Sequence, residues 1–269
     1  MTRRIAIVGT SNIGAPKYAA EQIAAEYPSL TVRFWGMPGR KFADCATDDA
    51  GVFQPPSGDV ETRKLAKRIN GEDCIDLSTF DATLVIADTM GLPSVLFMAG
   101  NYDVIDWPHR RDKPLLSRPG FLAGMEEAIT ARADDLAQQF QGVRPLFLTR
   151  APYPTTMVTR RGPLRLEPFA SVAAHPEAAQ IEALYTKALD RALAARNITF
   201  IAQPAETMAA PFLTRPAYGR GAEDFRTAGR ILDDHRHMNA AFGASLFRAF
   251  ALALCPDRTG AAPTPQTKE

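Results

Sequence analysis

At 269 residues, with 46% hydrophobic and 23% charged, the chain has the size and balance of one globular domain able to bury a substantial core. Lys plus Arg total 31 against 30 for Asp plus Glu, so no field of one sign recommends nucleic acid or an anionic membrane as partner, and a small or neutral substrate fits better. Met1-Thr2-Arg3-Arg4 runs into an apolar stretch, Ile5 to Val8, too brief for a signal-peptide core, and no run of about 18 apolar residues follows. Cys45, Cys74 and Cys255 are odd in number and widely spaced, which suits neither a disulfide framework nor a zinc site. The expectation is a cytoplasmic, reduced protein without cofactor or metal.

In chain order, Arg4 to Gly9 is a β-branched apolar run closed by glycine, and Ala15 to Tyr27 follows with helical spacing. Thr31 to Trp35, Ala82 to Ala87, Pro145 to Thr149 and Ile198 to Ala202 have the same strand composition. Helices are expected over Phe121 to Gln141, over Pro176 to Arg196 with its stripe Ala178, Ile181, Leu184, Tyr185, Ala188, Leu189 and Leu193, and over Ala240 to Leu254. Pro176 suits a first turn and Asn197 a helix end. Alternating strands and helices predict an α/β fold with a mainly parallel sheet covered on both faces, its ligands at the carboxyl ends of the strands. Asp44 to Ile75 and Ala151 to Val172 read as long excursions of the kind that shape a site. One domain, 1–256, and a disordered Pro- and Thr-rich tail, 257–269, complete the plan.

The first turn, Gly9-Thr10-Ser11-Asn12-Ile13-Gly14, joins a strand to a helix and gathers backbone N–H groups around a concavity. Ser11 occupies the place of the middle glycine of a dinucleotide fingerprint, no acid ends the second strand at Trp35-Gly36, and Ala15-Pro16 stand where a P-loop has Lys and Ser or Thr. The turn can instead hold Ser11 as a nucleophile with an oxyanion-binding N–H beside it, or use Ser11 simply as a helix cap. Near the other end, Asp233-Asp234-His235-Arg236-His237 holds two of the four histidines. Asp234 three residues before His237 can orient the imidazole so that its far nitrogen takes a proton from a serine. A polar helix start capped by Asp233 or Asp234 explains the same residues, and His235 with Asp233 is a rival base pair.

Taken together, Gly9-Thr10-Ser11-Asn12 and Asp234-His235-Arg236-His237 resemble the SGNH/GDSL hydrolase superfamily, in which a serine after the first strand is served by an Asp-x-x-His near the C-terminus. The continuation His237-Met238-Asn239-Ala240-Ala241-Phe242-Gly243 is similar to an ending found in bacterial members, some associated with polysaccharide modification. The resemblance spans about residues 4 to 254 and implies a flavodoxin-like three-layer fold. It also implies a Ser11, His237, Asp234 triad and an oxyanion hole from Ser11, a glycine after the second strand and an asparagine after the third. Gly39 is the choice for the glycine, with Gly36 its competitor, and Asn101 in Gly100-Asn101-Tyr102-Asp103 is the nearest asparagine. Gly-Thr-Ser-Asn departs from the common Gly-Asp-Ser, and the usual Gly-x-Asn-Asp is missing. The function implied is hydrolysis of small acyl esters, O-acetyl carbohydrate esters among them, or acyl transfer through the same triad. The reading from another class is a non-catalytic module that binds a sugar or nucleotide through the first turn and the arginines of Thr159-Arg160-Arg161.

Overall fold

The computed structural model describes residues 2–87, 89–108, 113–161, 166–224, 229–230 and 235–255, with the backbone alone at 160–161, 223–224 and 229–230. Asp233, Asp234 and the tail 257–269 lie outside the described residues.

The expected strands form one parallel sheet: β1 (Arg3–Gly9), β2 (Leu30–Gly36), β3 (Ala82–Ile86), β4 (Leu146–Thr149) and β5 (Ile198–Phe200), in the order β2-β1-β3-β4-β5. This 2-1-3-4-5 order is that of flavodoxin-like sheets, in which the order reverses next to the first strand and opens a crevice at the carboxyl edge. Alternate residues of a strand face opposite sides. Ile5 and Ile7 therefore enter one core with Leu84, Ile86, Phe247 and Phe250, while Ala6 and Val8 enter the other with Val85, Leu148, Ile129 and Tyr185. Covering both faces explains why β3 and β4 are buried along their whole length and β1 from Ile5 onward, whereas the edge strand β2 leaves Thr31 and Arg33 exposed.

On the first face lie α1 (Gly14–Tyr18), α2 (Ala20–Glu26) and α10 (Ala240–Leu254). The single helix expected over Ala15 to Tyr27 is broken at Ala19, whose φ of −88° and ψ of 6° leave the helical region. The second face is covered by α5 (Leu92–Asn101), α6 (Arg118–Gln139) and α9 (Ala178–Ala194). Asn197 closes off α9 in the left-handed region, at φ 58°, as its residue type suggests.

The two excursions are more ordered than their composition implies. Residues 44–75 hold α4 (Val60–Asn70) and most of a small antiparallel sheet of Ala46–Thr47, Val52–Gln54 and Ile75–Asp76. Asp59 caps α4, and the Thr62 hydroxyl and amide hold its carboxyl down to about 2. The second excursion contributes the short helices α7 (Val158–Arg161) and α8 (Glu167–Ala173). Between α2 and α4 in sequence, α3 (Gly39–Ala43) follows β2 directly. Among the described residues no helix is long and apolar enough to cross a membrane.

Candidate active site

The sheet brings the two ends of the chain together. His237 Nε2 lies 2.8 Å from Ser11 Oγ across 226 residues of sequence, and both side chains are half-buried. Ser11 leaves the carboxyl end of β1 in the first turn of a 3-10 helix, Ser11–Ile13, which Thr10 caps. Thr10 also donates its N–H to the Ile86 carbonyl, and its Oγ1 accepts from the Asn12 side chain at 3.2 Å. The capping role open to Ser11 is thus filled by Thr10, and the Ser11 hydroxyl faces the imidazole instead.

Gly9 is required by close approach: a Cβ on it would overlap the Ile86 carbonyl oxygen of the neighbouring strand. Gly243 meets a like demand at the other end. It packs on the backbone of α1, where a Cβ would overlap the Ala15 carbonyl group and the Pro16 nitrogen. Two helices pressed this closely fix the distance between the serine turn before α1 and the histidine loop before α10.

That loop is pinned at three points. Asn239 caps α10, accepting from Phe242 N–H at 3.2 Å, so the cap is not one of the aspartates. Its Nδ2 donates to the carbonyls of Ala217 at 2.8 Å and Arg220 at 2.9 Å, and its own N–H reaches the Tyr218 carbonyl at 2.7 Å. Upstream, Thr155 N–H donates to the His235 carbonyl at 3.0 Å. Thr155 in turn belongs to a buried network centred on Gln203, whose Nε2 donates to Thr207 and Thr214 hydroxyls at 3.1 and 2.9 Å and whose Oε1 accepts from Tyr153 N–H at 3.0 Å. Sequence reading found Asn239 only as part of a motif, and it missed Thr155, Gln203 and Thr214, which have no local pattern. We expect Asn239→Ala to cost about 2 kcal/mol in chemical denaturation, the sum of a lost cap and lost side-chain bonds. Asn239→Asp, which keeps the acceptor and loses the donors, should restore the smaller part of that loss.

The oxyanion candidates separate. Gly36 N–H donates to Asn70 Oδ1 at 2.9 Å and its carbonyl accepts from Asn70 Nδ2 at 3.1 Å, so the competitor is occupied. Gly39 opens α3, where the first N–H groups of a helix have no carbonyl partner within it, and the space beside its Cα is open. Asn101 ends α5, and its Nδ2 donates back to the Phe97 carbonyl of the same helix at 2.8 Å. Leu92–Asn101, with proline in its first turn, is a helix, so Asn101 stands at a helix end and not in an open turn.

Cys45 offers no rival nucleophile, since burial pushes its thiol up to about 12. No group of three His, Cys, Asp or Glu with metal-holding geometry occurs among the described residues.

No family model and no curated protein matches the chain. Among solved structures it is similar to a DUF4886 family protein from Bacteroides uniformis, at 10% identity and a TM-score of 0.44, over 100% of this chain and 89% of that one. That likeness is too slight to bear on the chemistry.

Proposed function

We propose that this protein is a serine hydrolase acting on small acyl esters, with Ser11 as nucleophile and His237 as general base. The observation that carries the reading is the 2.8 Å separation of Ser11 Oγ and His237 Nε2, a nucleophile and a base within hydrogen-bond reach at the carboxyl edge of a parallel sheet. Nε2 takes the proton as Oγ attacks the ester carbonyl carbon, and the same proton then passes to the departing alkoxide. Water repeats the sequence on the acyl-enzyme, with His237 again removing the proton. For Nε2 to accept, Nδ1 must carry the other hydrogen, and a carboxylate there fixes that tautomer. Asp234, three residues earlier, is our assignment for it. The N–H groups of Ser11 and Gly39 are assigned to the oxyanion, each such donor contributing roughly 3 to 4 kcal/mol in comparable sites. Acetyl esters of carbohydrates are the substrate class we would screen first. A hydroxylated acceptor replacing water would make the same residues an acyltransferase.

A fluorophosphonate probe should label Ser11 in the wild-type protein and fail to label Ser11→Ala. His237→Ala should lose ester cleavage, whereas His235→Ala should retain most of it. Absence of labelling together with saturable sugar or nucleotide binding would sink the hydrolase reading in favour of a binding module.

A further inference from the structure

The segment from Gly36 to Phe42 is gripped at both ends by side-chain amides from other elements, and Gly39 lies midway between them. β2 is the edge strand of the parallel sheet, and an edge strand leaves outward backbone groups without a neighbour. Just past its end, Met37 N–H turns inward to the Gly9 carbonyl at 3.0 Å, two residues before Ser11. Gly36 faces outward, where Asn70 at the end of α4 stands in for a missing strand. Its Oδ1 accepts from Gly36 N–H at 2.9 Å, and its Nδ2 donates to the Gly36 carbonyl at 3.1 Å and to the Ala66 carbonyl at 3.0 Å. At the far end of the segment Gln139, buried at the end of α6, donates Nε2–H to the Phe42 carbonyl at 2.7 Å. Its own carbonyl accepts from the Thr47 hydroxyl at 3.1 Å. Burying an amide costs free energy that an apolar side chain of the same size avoids, and here the cost is offset by a bond to a short helix. With five residues, α3 is well below the length of about 12 to 15 at which a helix begins to hold itself in water, so its direction is set by what it is tied to.

We infer that Asn70 and Gln139 are positioning residues of the reaction: together they fix where the Gly39 N–H points, and so its distance from the oxyanion that forms at Ser11. This role rests on the assignment of Gly39 under the proposed function, and neither side chain touches substrate. An oxyanion donor is effective when it is aimed before the charge appears, and a shift of about 1 Å can cost on the order of 100-fold in rate. The uncharged ester makes less use of that N–H than the tetrahedral oxyanion does, so loss of either clamp lowers kcat and spares KM.

A double-mutant cycle with Gly39→Pro tests it. Proline lacks the N–H and suits the first position of a helix, and a Cβ at residue 39 would meet nothing within 4 Å. On a chromogenic acetyl ester Gly39→Pro should lower kcat about 100- to 1,000-fold. Asn70→Ala and Gln139→Met should each lower it about 10- to 100-fold with KM little changed, and Asn70→Asp, which keeps the acceptor for Gly36 N–H, should lose less than Asn70→Ala. In the Gly39→Pro background the same substitutions should change kcat by less than about twofold, because they act through a donor that is gone. A second measurement needs no variant at Gly39: a trifluoromethyl ketone, whose serine adduct carries the oxyanion, should bind Asn70→Ala weaker by the factor lost in kcat/KM. Losses that multiply in full in the double variants, an Asn70→Ala protein with wild-type kcat, or ketone affinity unchanged beside a reduced kcat would each overturn the inference and leave the hydrolase reading standing. Wild-type turnover by Gly39→Pro would remove the assignment of Gly39 and the inference with it. An inactive wild-type protein would remove both together with the hydrolase reading.

Discussion

On the proposed mechanism, replacing Ser11 by alanine is expected to lower kcat for ester cleavage by about 10⁴- to 10⁶-fold, because the members of a nucleophile and base pair act as a unit. Stability should change by no more than about 1 kcal/mol, the worth of the one hydrogen bond that the half-buried hydroxyl makes to His237. That asymmetry follows from the local structure. Thr10, not Ser11, caps the turn; Thr10 N–H and Ile13 N–H bond to the Ile86 and Thr10 carbonyls, and none of these contacts uses the Ser11 hydroxyl. Kinetics on a chromogenic acetyl ester beside urea denaturation would measure both quantities. A Ser11→Ala protein that still turns over at wild-type rate would exclude the mechanism, and one that is inactive only because it is unfolded would leave Ser11 a structural residue after all.

Gly243→Ala is expected to produce the largest loss of stability from a single methyl group, about 3 kcal/mol or more. Two effects oppose each other there. Alanine is the better helix former by about 1 kcal/mol, so in an exposed helix the change would stabilise. Against this, the added Cβ would overlap the backbone of Ala15 and Pro16, which cannot rotate aside as a side chain can, so α1 and α10 must move apart. The steric term is larger and sets the sign. Because the serine turn runs into α1 and the histidine loop into α10, the same movement should lengthen the Ser11–His237 contact, and a displacement of about 1 Å can cost on the order of 100-fold in rate. Denaturation and ester kinetics on Gly243→Ala would thus fall together. A stabilised variant would mean that the two helices are not in contact at this position.

The same geometry accounts for a sequence motif in physical terms. In His237-Met238-Asn239-Ala240-Ala241-Phe242-Gly243, the asparagine is the cap that ties α10 to residues 217–220, and the glycine admits the α1 backbone. The rival His235 is held through its backbone carbonyl by Thr155.

By itself the sequence determined the five strands, both helix-covered faces, the left-handed Asn197 and the candidates Ser11 and His237. These are local properties: strand and helix periods, turn chemistry and a three-residue spacing are written within a few residues of one another. Only the tertiary structure decided that Ser11 and His237 meet, that Asn70 occupies Gly36 while Gly39 stands at a helix start, and that Asn101 ends a helix with its amide bonded back to Phe97. Those outcomes depend on which strands become neighbours and how closely helices can approach. Contacts between residues more than two hundred positions apart are selected by the packing energy of the whole sheet, which no window of sequence contains.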